Sequence, residues 1–227
     1  MFREFRTRSL DTERLDRGEF THDEYVRWQK EMWFIHRLFG ETRALKRTLI
    51  RDIAHRNAER ISILDVGAGS GTLLSYLRQR LLGRDVRSIG LEMSAESARG
   101  IGNNGHQAVR GNALSLPFAD HSIDYVFCTL FLHHLNDAAA IRLITEMGRV
   151  ARRKLIVIDL ERSVLSYMMF KTLGTFLLQR FTRDDGSLSI KRAFKLDELK
   201  VLAERSGLKR FKVERSAIGR LILASDG

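Results

Sequence analysis

Apolar and polar positions alternate with two different periods from about residue 61 onward. Short runs rich in β-branched residues predict buried strands, and the longer stretches between them space apolar residues as amphipathic helices do. In chain order, the predicted strands are ISILDV, VRSIGLE, HQAVRG, IDYVFC and KLIVIDL, and the predicted helices are TLLSYLRQRLL, SAESARGI and AAAIRLITEMGRVA. This alternation is typical of an α/β protein with a mostly parallel sheet and helices on both faces.

Both ends of the chain depart from this alternation. Residues 21–58 predict two helices, HDEYVRWQKEMWFIHRLF and ETRALKRTLIRDIAH, with Gly40 as the break between them. VLSYMMFKTLGTFLLQRF predicts a helix inserted after the fifth strand, and LDELKVLAERSG predicts a helix stopped by Gly207, followed by an antiparallel pair of strands. We expect residues 1–58 to be a helical cover and residues 161–195 a lid insertion over a core at 59–227, because ligands bind beside the carboxyl ends of parallel strands. Ordinary core helices are the alternative for both segments.

Length and composition limit the class of protein. The 227 residues suffice for one large α/β domain, with Pro117 as the only proline and no Gly/Ser-rich linker. Cys128 is the only cysteine, which excludes an intramolecular disulfide and a cysteine-based zinc site, and the charged N-terminus lacks the apolar run of a signal peptide. Polar residues interrupt the longest apolar stretch, 164–178, so no transmembrane segment is expected. These features predict a cytoplasmic protein.

Lysine and arginine outnumber aspartate and glutamate by 39 to 28, which gives a net charge of +11. The excess is concentrated in residues 160–227, which carry 14 basic and 8 acidic residues. Such a balance suits nucleic acid, an anionic membrane surface or acidic small molecules. The basic residues are interleaved with acids and form no dense run, which favours a solvated surface over nucleic-acid recognition.

A glycine-rich turn, DVGAGSG at 65–71, directly follows the first strand and precedes a helix. Glycines let the backbone turn tightly and approach a ligand without obstruction by Cβ. Thr72 stands where a dinucleotide fingerprint would have its last glycine, which counts against NAD. Glu92 ends the second strand, where a carboxylate can accept hydrogen bonds from both ribose hydroxyls of a nucleoside.

The segments ILDVGAGSGTL, GLEMS, GNALSLPFADHSIDYVFC and LHHL occur in this order across residues 61–137. In these segments the chain resembles the class I S-adenosylmethionine-dependent methyltransferases of the type 11 group, which includes the ubiquinone and menaquinone methyltransferases. The resemblance implies a Rossmann-like, seven-stranded sheet of order 3-2-1-4-5-7-6. It implies S-adenosyl-L-methionine as cofactor, with S-adenosyl-L-homocysteine as product and no metal.

The resemblance also implies which residues bind the cofactor. These are Asp65, Gly67, Gly69 and Gly71 at its methionine end, Glu92 at the ribose, Met93, Asn112 and Ala113 at the adenine, and Ala68 and Thr129 beside them. Family members commonly have Asp in place of Asn112. The side-chain oxygen of Asn112 can still accept a hydrogen bond from the adenine amino group.

Two histidines, His133 and His134, follow the fourth strand on the side where the family binds its cofactor. Either is a candidate base for a phenolic acceptor, since the ordinary pKa of histidine lies near ~6.5. A loop-stabilising or pocket-lining role is the alternative. Asp159, at the end of the fifth strand, is expected to line the pocket or to cap a helix. The rest of the expected substrate-binding set is Tyr25, Trp28, Trp33 and Arg192.

RDDGSLSIKRAF is similar to a stretch in small bacterial methyltransferases that accompany type III polyketide synthases. This resemblance implies secondary metabolism, with a polyketide-derived or related aromatic hydroxyl compound as acceptor. Asp-Asp-Gly predicts a turn, and Arg192 is expected to pair with Asp184 or Asp185 or to reach a polar group of the substrate. Cys128 is expected to be a small buried residue rather than a nucleophile.

We therefore expect a methyltransferase that O-methylates a phenolic or enolic hydroxyl of a small hydrophobic acceptor by in-line displacement, with a homodimer as one expected assembly. C-methylation of a quinone-like ring is the nearest alternative. An RNA methyltransferase and a noncatalytic cofactor-binding protein are alternatives of other classes. The shape of the pocket selects the acceptor in such folds, so the sequence leaves the acceptor open.

Overall fold

One sheet organises the computed structural model, in which residues 3–56, 60–216 and 219–227 are described. Within these residues seven strands form it, β1 Arg60–Val66, β2 Asp85–Glu92, β3 Gln107–Arg110, β4 Ile123–Thr129, β5 Ala151–Leu160, β6 Phe211–Arg215 and β7 Arg220–Asp226. Their order is β3-β2-β1-β4-β5-β7-β6, which confirms the predicted order. All neighbours are parallel except β7, which is antiparallel to both β5 and β6. The carboxyl ends of β1, β2, β4 and β5 therefore lie at one edge of the sheet.

Helices precede the sheet and connect its strands. They are α1 Arg14–Arg17, α2 His22–Leu38, α3 Glu41–Leu45, α4 Arg51–Ala54, α5 Thr72–Arg80, α6 Ala95–Asn103, α7 Asp137–Val150, α8 Val164–Leu177, α9 Arg180–Arg192 and α10 Leu196–Arg205. A π-helical turn, Lys46–Ile50, continues α3 into α4. Gly40, with a φ of 102°, separates α3 from α2, as the sequence predicted. A 3-10 turn, Leu132–His134, holds the histidine pair.

The central strand β4 is buried along its whole length. Val126 and Cys128 belong to one apolar core, which includes side chains of α7 and α10. Tyr125 and Phe127 belong to another on the opposite face, which includes side chains of α3, α4 and α5. Successive strand residues point to opposite faces, so a strand covered on both faces needs a continuous apolar run. Cys128 is fully buried, which confirms the prediction of a small core residue.

A third apolar cluster joins the N-terminal helices to the helices that follow β5. Ile35 of α2 and Phe39, which directly follows α2, lie in it together with Phe170 of α8. Leu160, at the carboxyl end of β5, belongs to the same cluster. The two predicted covering segments therefore share one small core beside the carboxyl edge of the sheet. The boundary predicted between the N-terminal cover and the core, at 58/59, falls in 57–59, outside the described residues.

The insertion after β5 consists of two helices rather than the single helix predicted over 164–181. The break lies at Gln179, which is in contact with α2. Its backbone N–H donates a hydrogen bond to the Glu31 carboxylate (3.0 Å), and its side-chain amide donates one to the Glu24 carbonyl (2.9 Å). These tertiary hydrogen bonds stabilise an interruption that the apolar pattern did not reveal.

The turn predicted for 184–186 is wrong, because these residues lie within α9. Asp185 does not bond to the neighbouring backbone as in a turn. Its carboxylate accepts hydrogen bonds from the backbone N–H groups of Arg14 (3.0 Å) and Leu15 (2.9 Å), at the start of α1. Helix N-termini have unpaired N–H groups, so Asp185 caps a helix that lies far away in the sequence.

Gly186 faces the ring of Phe170 in α8, and a Cβ at this position would overlap that ring. We expect Gly186→Ala to lower the free energy of unfolding by about 1–3 kcal/mol, as overpacking of a core does. Urea denaturation measures the loss. Gly102→Ala in α6 is the control, because a Cβ there meets nothing within 4 Å. The control should be neutral or stabilising by up to ~1 kcal/mol, and an equal loss in both variants would contradict the packing argument.

Candidate active site

The glycine-rich turn after β1 presents open backbone to a cavity. Gly67, Gly69 and Gly71 have positive φ values of 76°, 55° and 80°. A Cβ on Gly69 would meet no atom within 4 Å, so this part of the turn borders free space. A Cβ on Gly67 would lie 2.9 Å from the ring of Phe131, so glycine at this position lets the ring pack on the turn. The turn is thus a wall of a site and not only a tight connection.

Two carboxyl groups, of Asp65 and Glu92, lie beside this turn. Asp65 is buried, and its Oδ1 has no hydrogen-bond partner among the described residues. Burial and the neighbouring charge of Glu92 raise the pKa of Asp65 well above its ordinary value. Burial also raises the pKa of Glu92, although its Oε1 accepts a hydrogen bond from the N–H of Gly69 (2.7 Å). A buried acceptor without a partner costs free energy, so the pair is suited to a ligand that brings hydrogen-bond donors.

A cavity of about 420 Å³ extends from the turn to α2. Phe20, Tyr25 and Trp28 line one side of it, with successive ring centroids 5.2 Å and 5.6 Å apart. We call this space the larger cavity. The lining residues that the sequence singled out are Asp65, Gly67, Ala68, Gly69, Glu92, Thr129, Tyr25, Trp28 and His134.

Four residues expected to bind the cofactor do not line the larger cavity: Gly71, Met93, Asn112 and Ala113. Met93 is exposed beside Glu92. The side-chain oxygen of Asn112 accepts a hydrogen bond from the N–H of Leu114 (2.9 Å), and Ala113 is buried in the core. Their role in binding the cofactor stays a prediction.

A second cavity, of about 90 Å³, is lined by residues of α2, α8, α9 and the segment around α1. Its apolar lining is Leu15, Trp28, Met32, Ile35, Leu130, Leu160, Phe170 and Ile190, and its polar lining is Glu13, His133, His134, Thr182, Asp185, Ser189 and Arg220. We call it the smaller cavity. The residues that line both cavities are Leu15, Trp28, Met32, Leu130 and His134. The two spaces therefore adjoin just beyond the carboxyl end of β4.

His133 is buried and is held by Asp159 from two directions. The Asp159 carboxylate accepts hydrogen bonds from the His133 backbone N–H (2.9 Å) and lies 2.7 Å from Nδ1. Burial alone would raise the pKa of Asp159, but the charge and hydrogen bonds of His133 and the N–H of Leu160 lower it below its ordinary value. An ionised carboxylate only accepts hydrogen bonds, so Nδ1 carries a proton and Nε2 is the ring nitrogen that can exchange one. Asp159 lines neither cavity. Its carboxylate holds the His133 ring in position.

Glu13, which the sequence analysis did not single out, lies next to His133. Its Oε1 is 3.8 Å from His133 Nε2 and accepts a hydrogen bond from the hydroxyl of Ser189 (2.9 Å). Burial raises its pKa to about 7, although His134, Ser189 and Arg192 act in the opposite direction. No motif surrounds Glu13, and 120 residues separate it from His133. Only the folding of the N-terminal segment over the sheet brings them together.

His134 and Arg192 connect the N-terminal segment to the histidine turn. Nδ1 of His134 lies 3.0 Å from the carboxylate of Asp16, and the Arg192 guanidinium lies 3.2 Å from the same carboxylate. Arg192 also donates a hydrogen bond to the His134 carbonyl (2.9 Å). Arg192 therefore does not pair with Asp184 or Asp185, because it points to α1 and not along its own helix.

Trp33 lies away from both cavities, with its ring centroid 6.1 Å from that of Tyr76. It sits on the face of α2 turned toward α5. The helical spacing that places Tyr25 and Trp28 beside the larger cavity turns Trp33 to another side of the same helix. Its predicted role in substrate binding has no support in its position.

Glu13, His133 and His134 each offer one ligand atom within 4.8 Å of the others, a spacing that suits a metal ion. The Nδ1 of His134 is already bonded to Asp16, and the Arg192 guanidinium is 3.9 Å from the Glu13 carboxylate. A guanidinium cannot lose its charge and would repel a cation at this point. The arrangement is better suited to holding and sharing a proton.

Residues 64–158 match the family described as "Methyltransferase domain". The uncharacterized methyltransferase YcgJ of Bacillus subtilis (strain 168) is 32% identical over 94 residues, 40% of this chain and 36% of YcgJ. The demethylmenaquinone methyltransferase of Shouchella clausii (strain KSM-K16) is 30% identical over 139 residues, 58% of this chain and 57% of that protein. The chain spans between 36% and 57% of the length of the curated relatives it matches.

The plantazolicin methyltransferase BpumL, solved with a monoazolic desmethylPZN analog and SAH, has a TM-score of 0.70 and is 13% identical. The match covers 93% of this chain and 91% of BpumL, and at this identity it concerns the fold. This similarity agrees with the observed order of the strands, which is the order predicted for a Rossmann-like fold. Residues 64–158 therefore match a methyltransferase domain, and the fold agrees with that of the class I S-adenosylmethionine-dependent methyltransferases that the sequence resembles.

Proposed function

We propose that this chain transfers the methyl group of S-adenosyl-L-methionine to an ionisable hydroxyl of a small, largely apolar acceptor. The observation that carries the proposal is the junction of the two cavities. The larger is bordered by the glycine turn with Asp65 and Glu92, and the smaller combines apolar walls with Glu13 and His133. A cofactor in the first and an acceptor in the second would meet at His134, which lines both.

The larger cavity suits this cofactor in size and chemistry. Its volume of about 420 Å³ lies within the usual range for small-molecule sites. The unpartnered oxygen of Asp65 and the carboxylate of Glu92 can accept hydrogen bonds from an ammonium group and from ribose hydroxyls. The rings of Tyr25 and Trp28 are suited to a cation. When bound, S-adenosylmethionine supplies a methyl group on a sulfonium and leaves as a neutral thioether, so alignment supplies most of the catalysis.

His133 is the group we propose to accept the proton of the acceptor hydroxyl. Asp159 fixes its Nδ1–H, and Nε2 is beside Glu13 in the smaller cavity. A general base works best when its pKa is near the pH of the reaction. Glu13, with a pKa of about 7, is placed to stabilise the protonated ring or to take the proton itself. His134 is the alternative base, although its Nδ1 is engaged by Asp16.

O-methylation of a phenol or enol, as in a polyketide-like compound, is the reaction we favour. The apolar lining of the smaller cavity suits such an acceptor. C-methylation of a quinone-like ring is the second candidate, because two of the relatives are demethylmenaquinone methyltransferases. The same deprotonation of a ring hydroxyl by His133 would activate a neighbouring carbon. An RNA acceptor is less favoured, because the arginine in this cavity, Arg220, is paired with the buried Glu41.

Several further expectations stay predictions. Residues 1–58 as cover contribute to the walls of both cavities, and residues 161–195 as lid contribute to the walls of the smaller one. The homodimer, the cytoplasmic location and the role in bacterial secondary metabolism are inferred from the sequence alone.

The proposal is tested by calorimetric titration with S-adenosylmethionine and S-adenosylhomocysteine, followed by an assay for release of S-adenosylhomocysteine. The acceptor panel contains phenols, polyketides and quinols, and a separate arm contains RNA. We expect binding of both nucleosides and release that depends on a small hydroxyl compound. A folded protein that binds neither nucleoside would overturn the proposal. Release of S-adenosylhomocysteine that depends on RNA would indicate an RNA methyltransferase instead.

Glu92→Gln should weaken binding of S-adenosylhomocysteine about tenfold or more. Hydrogen bonds to a charged group contribute ~1.5–3 kcal/mol, and about 1.4 kcal/mol is a factor of ten in affinity. Calorimetry measures the change. Glu204→Gln, an exposed change on α10, is the control and should leave the affinity unaltered. Equal affinities of wild type and Glu92→Gln would remove Glu92 from the cofactor site.

His133→Ala should lower kcat by about 10²–10⁴, the usual contribution of a general base, and leave the affinity for S-adenosylhomocysteine unchanged. Asp159→Asn should lower kcat as well, because the carboxylate fixes the Nδ1–H tautomer. His134→Ala serves as the comparison. The kcat of all three variants is measured with the acceptor found in the panel. Unchanged turnover in both histidine variants would exclude histidine from the mechanism.

Glu13 should make the protein less stable as the pH rises. The carboxyl ionises near pH 4.5 in the unfolded chain but near pH 7 in the folded one, so stability falls between these values and is level above them. Glu13→Gln cannot ionise and should exceed the wild type in stability at pH 8, by on the order of 3 kcal/mol. Urea denaturation at pH 4, 6 and 8 measures this difference. The exposed Glu19→Gln is the control, and a difference that does not grow with pH would refute the burial of an ionisable Glu13.

A further inference from the structure

The outer face of α8 is apolar and exposed. Leu165 is 67% exposed and Phe176 83% exposed. At 100° per residue these two side chains lie on the same side of the helix. Other exposed apolar residues of this helix are Met168, Leu173 and Leu177. Monomeric proteins rarely expose a contiguous apolar surface without a partner for it.

The inner face of the same helix borders the smaller cavity through Phe170. Ser166, Phe170 and Gly174 are its buried residues. Phe170 lines that cavity and lies 5.8 Å, between ring centroids, from Phe39, which follows α2. α8 therefore has an apolar side chain at the smaller cavity on one side and apolar side chains at the surface on the other.

The charged side chains next to this face are mainly basic. α8 carries a single charged residue, Lys171, which is exposed. Arg180, at the start of α9, has 85% of its side chain exposed and lies 3.4 Å from the carboxylate of Asp184, an acid on the same helix. Arg183 follows in the next turn, and the whole chain has a net charge of +11. An apolar helical face with adjoining basic side chains is the combination that binds anionic lipid surfaces.

We propose that the outer face of α8 docks on an anionic lipid bilayer, with Leu165, Met168 and Phe176 inserted among the lipid chains and Lys171 and Arg180 at the headgroups. Among the described residues no helix is long and apolar enough to cross a membrane. The 14 residues of α8 extend about 21 Å, less than the roughly 30 Å of a bilayer core. The helix therefore lies along the surface.

The docked position has a consequence for access to the smaller cavity. Phe170 is on the cavity side of the helix whose other side would contact lipid. An apolar acceptor dissolved in the bilayer could then enter beside α8 without crossing water. The membrane contact itself does not depend on the proposed methyl transfer, so the two are tested separately.

The test is sedimentation of the full chain with vesicles of phosphatidylcholine containing one part in three phosphatidylglycerol, and with pure phosphatidylcholine. We expect stronger binding to the anionic vesicles, weakened by salt. The double variant Leu165→Ser and Phe176→Ser should bind at least tenfold more weakly. Leu82→Ser is the control, because Leu82 is 82% exposed but follows α5 on another part of the surface.

Three results would overturn the proposal. They are no binding of the wild type to anionic vesicles, an equal loss in Leu82→Ser, and a dimer in solution that the double variant abolishes. The last result would show that a second copy of the chain covers this face. Thermal unfolding of each variant establishes that it is folded, and Lys171→Glu, which leaves the apolar face intact, should reduce binding to anionic vesicles alone.

Discussion

Parallel pairing of β1, β2, β4 and β5 is the constraint on which the site depends. It places the carboxyl ends of these strands at one edge, so the loops that leave them meet although they are far apart in sequence. The glycine turn, Glu92, the histidine turn and Asp159 all follow or end one of these strands. Burial of β4 on both faces stabilises this arrangement, because its alternate side chains take part in two separate cores.

The domain buries carboxyl groups that have few partners, and this is costly. Burial raises the pKa values of Asp65, Glu92 and Glu13. Asp159 differs because His133 and backbone N–H groups compensate for its burial and lower its pKa. The contrast separates two kinds of acid in one site. Asp159 is satisfied by the protein itself, whereas the other three are suited to a ligand or a proton.

The N-terminal segment and the helices after β5 contribute polar groups as well as apolar walls to the two cavities. The N-terminal segment brings Glu13 and Asp16 to the histidine turn, and Asp185 in α9 caps α1 in return. α8 contributes one apolar face to the smaller cavity and another to the surface. The proposed acceptor site is therefore lined mostly by parts of the chain outside the 64–158 match, with Leu130, His133 and His134 from within it. Similar folds serve different acceptors in the same way.

Local patterns predicted the strands, the helices and the glycine turn, because each depends on residues close together in the chain. The family resemblance, carried by motifs in a fixed order, implied the sheet order and a methyltransferase domain. It also placed Asp65, Glu92 and His134 at one cavity. The helix at 184–186 and the position of Glu13 beside His133 are visible only in the folded chain. The turn pattern was overridden because hydrogen bonds to a distant helix replaced local ones. Glu13 has no local signal at all, since its burial and its raised pKa arise from residues that only folding brings around it.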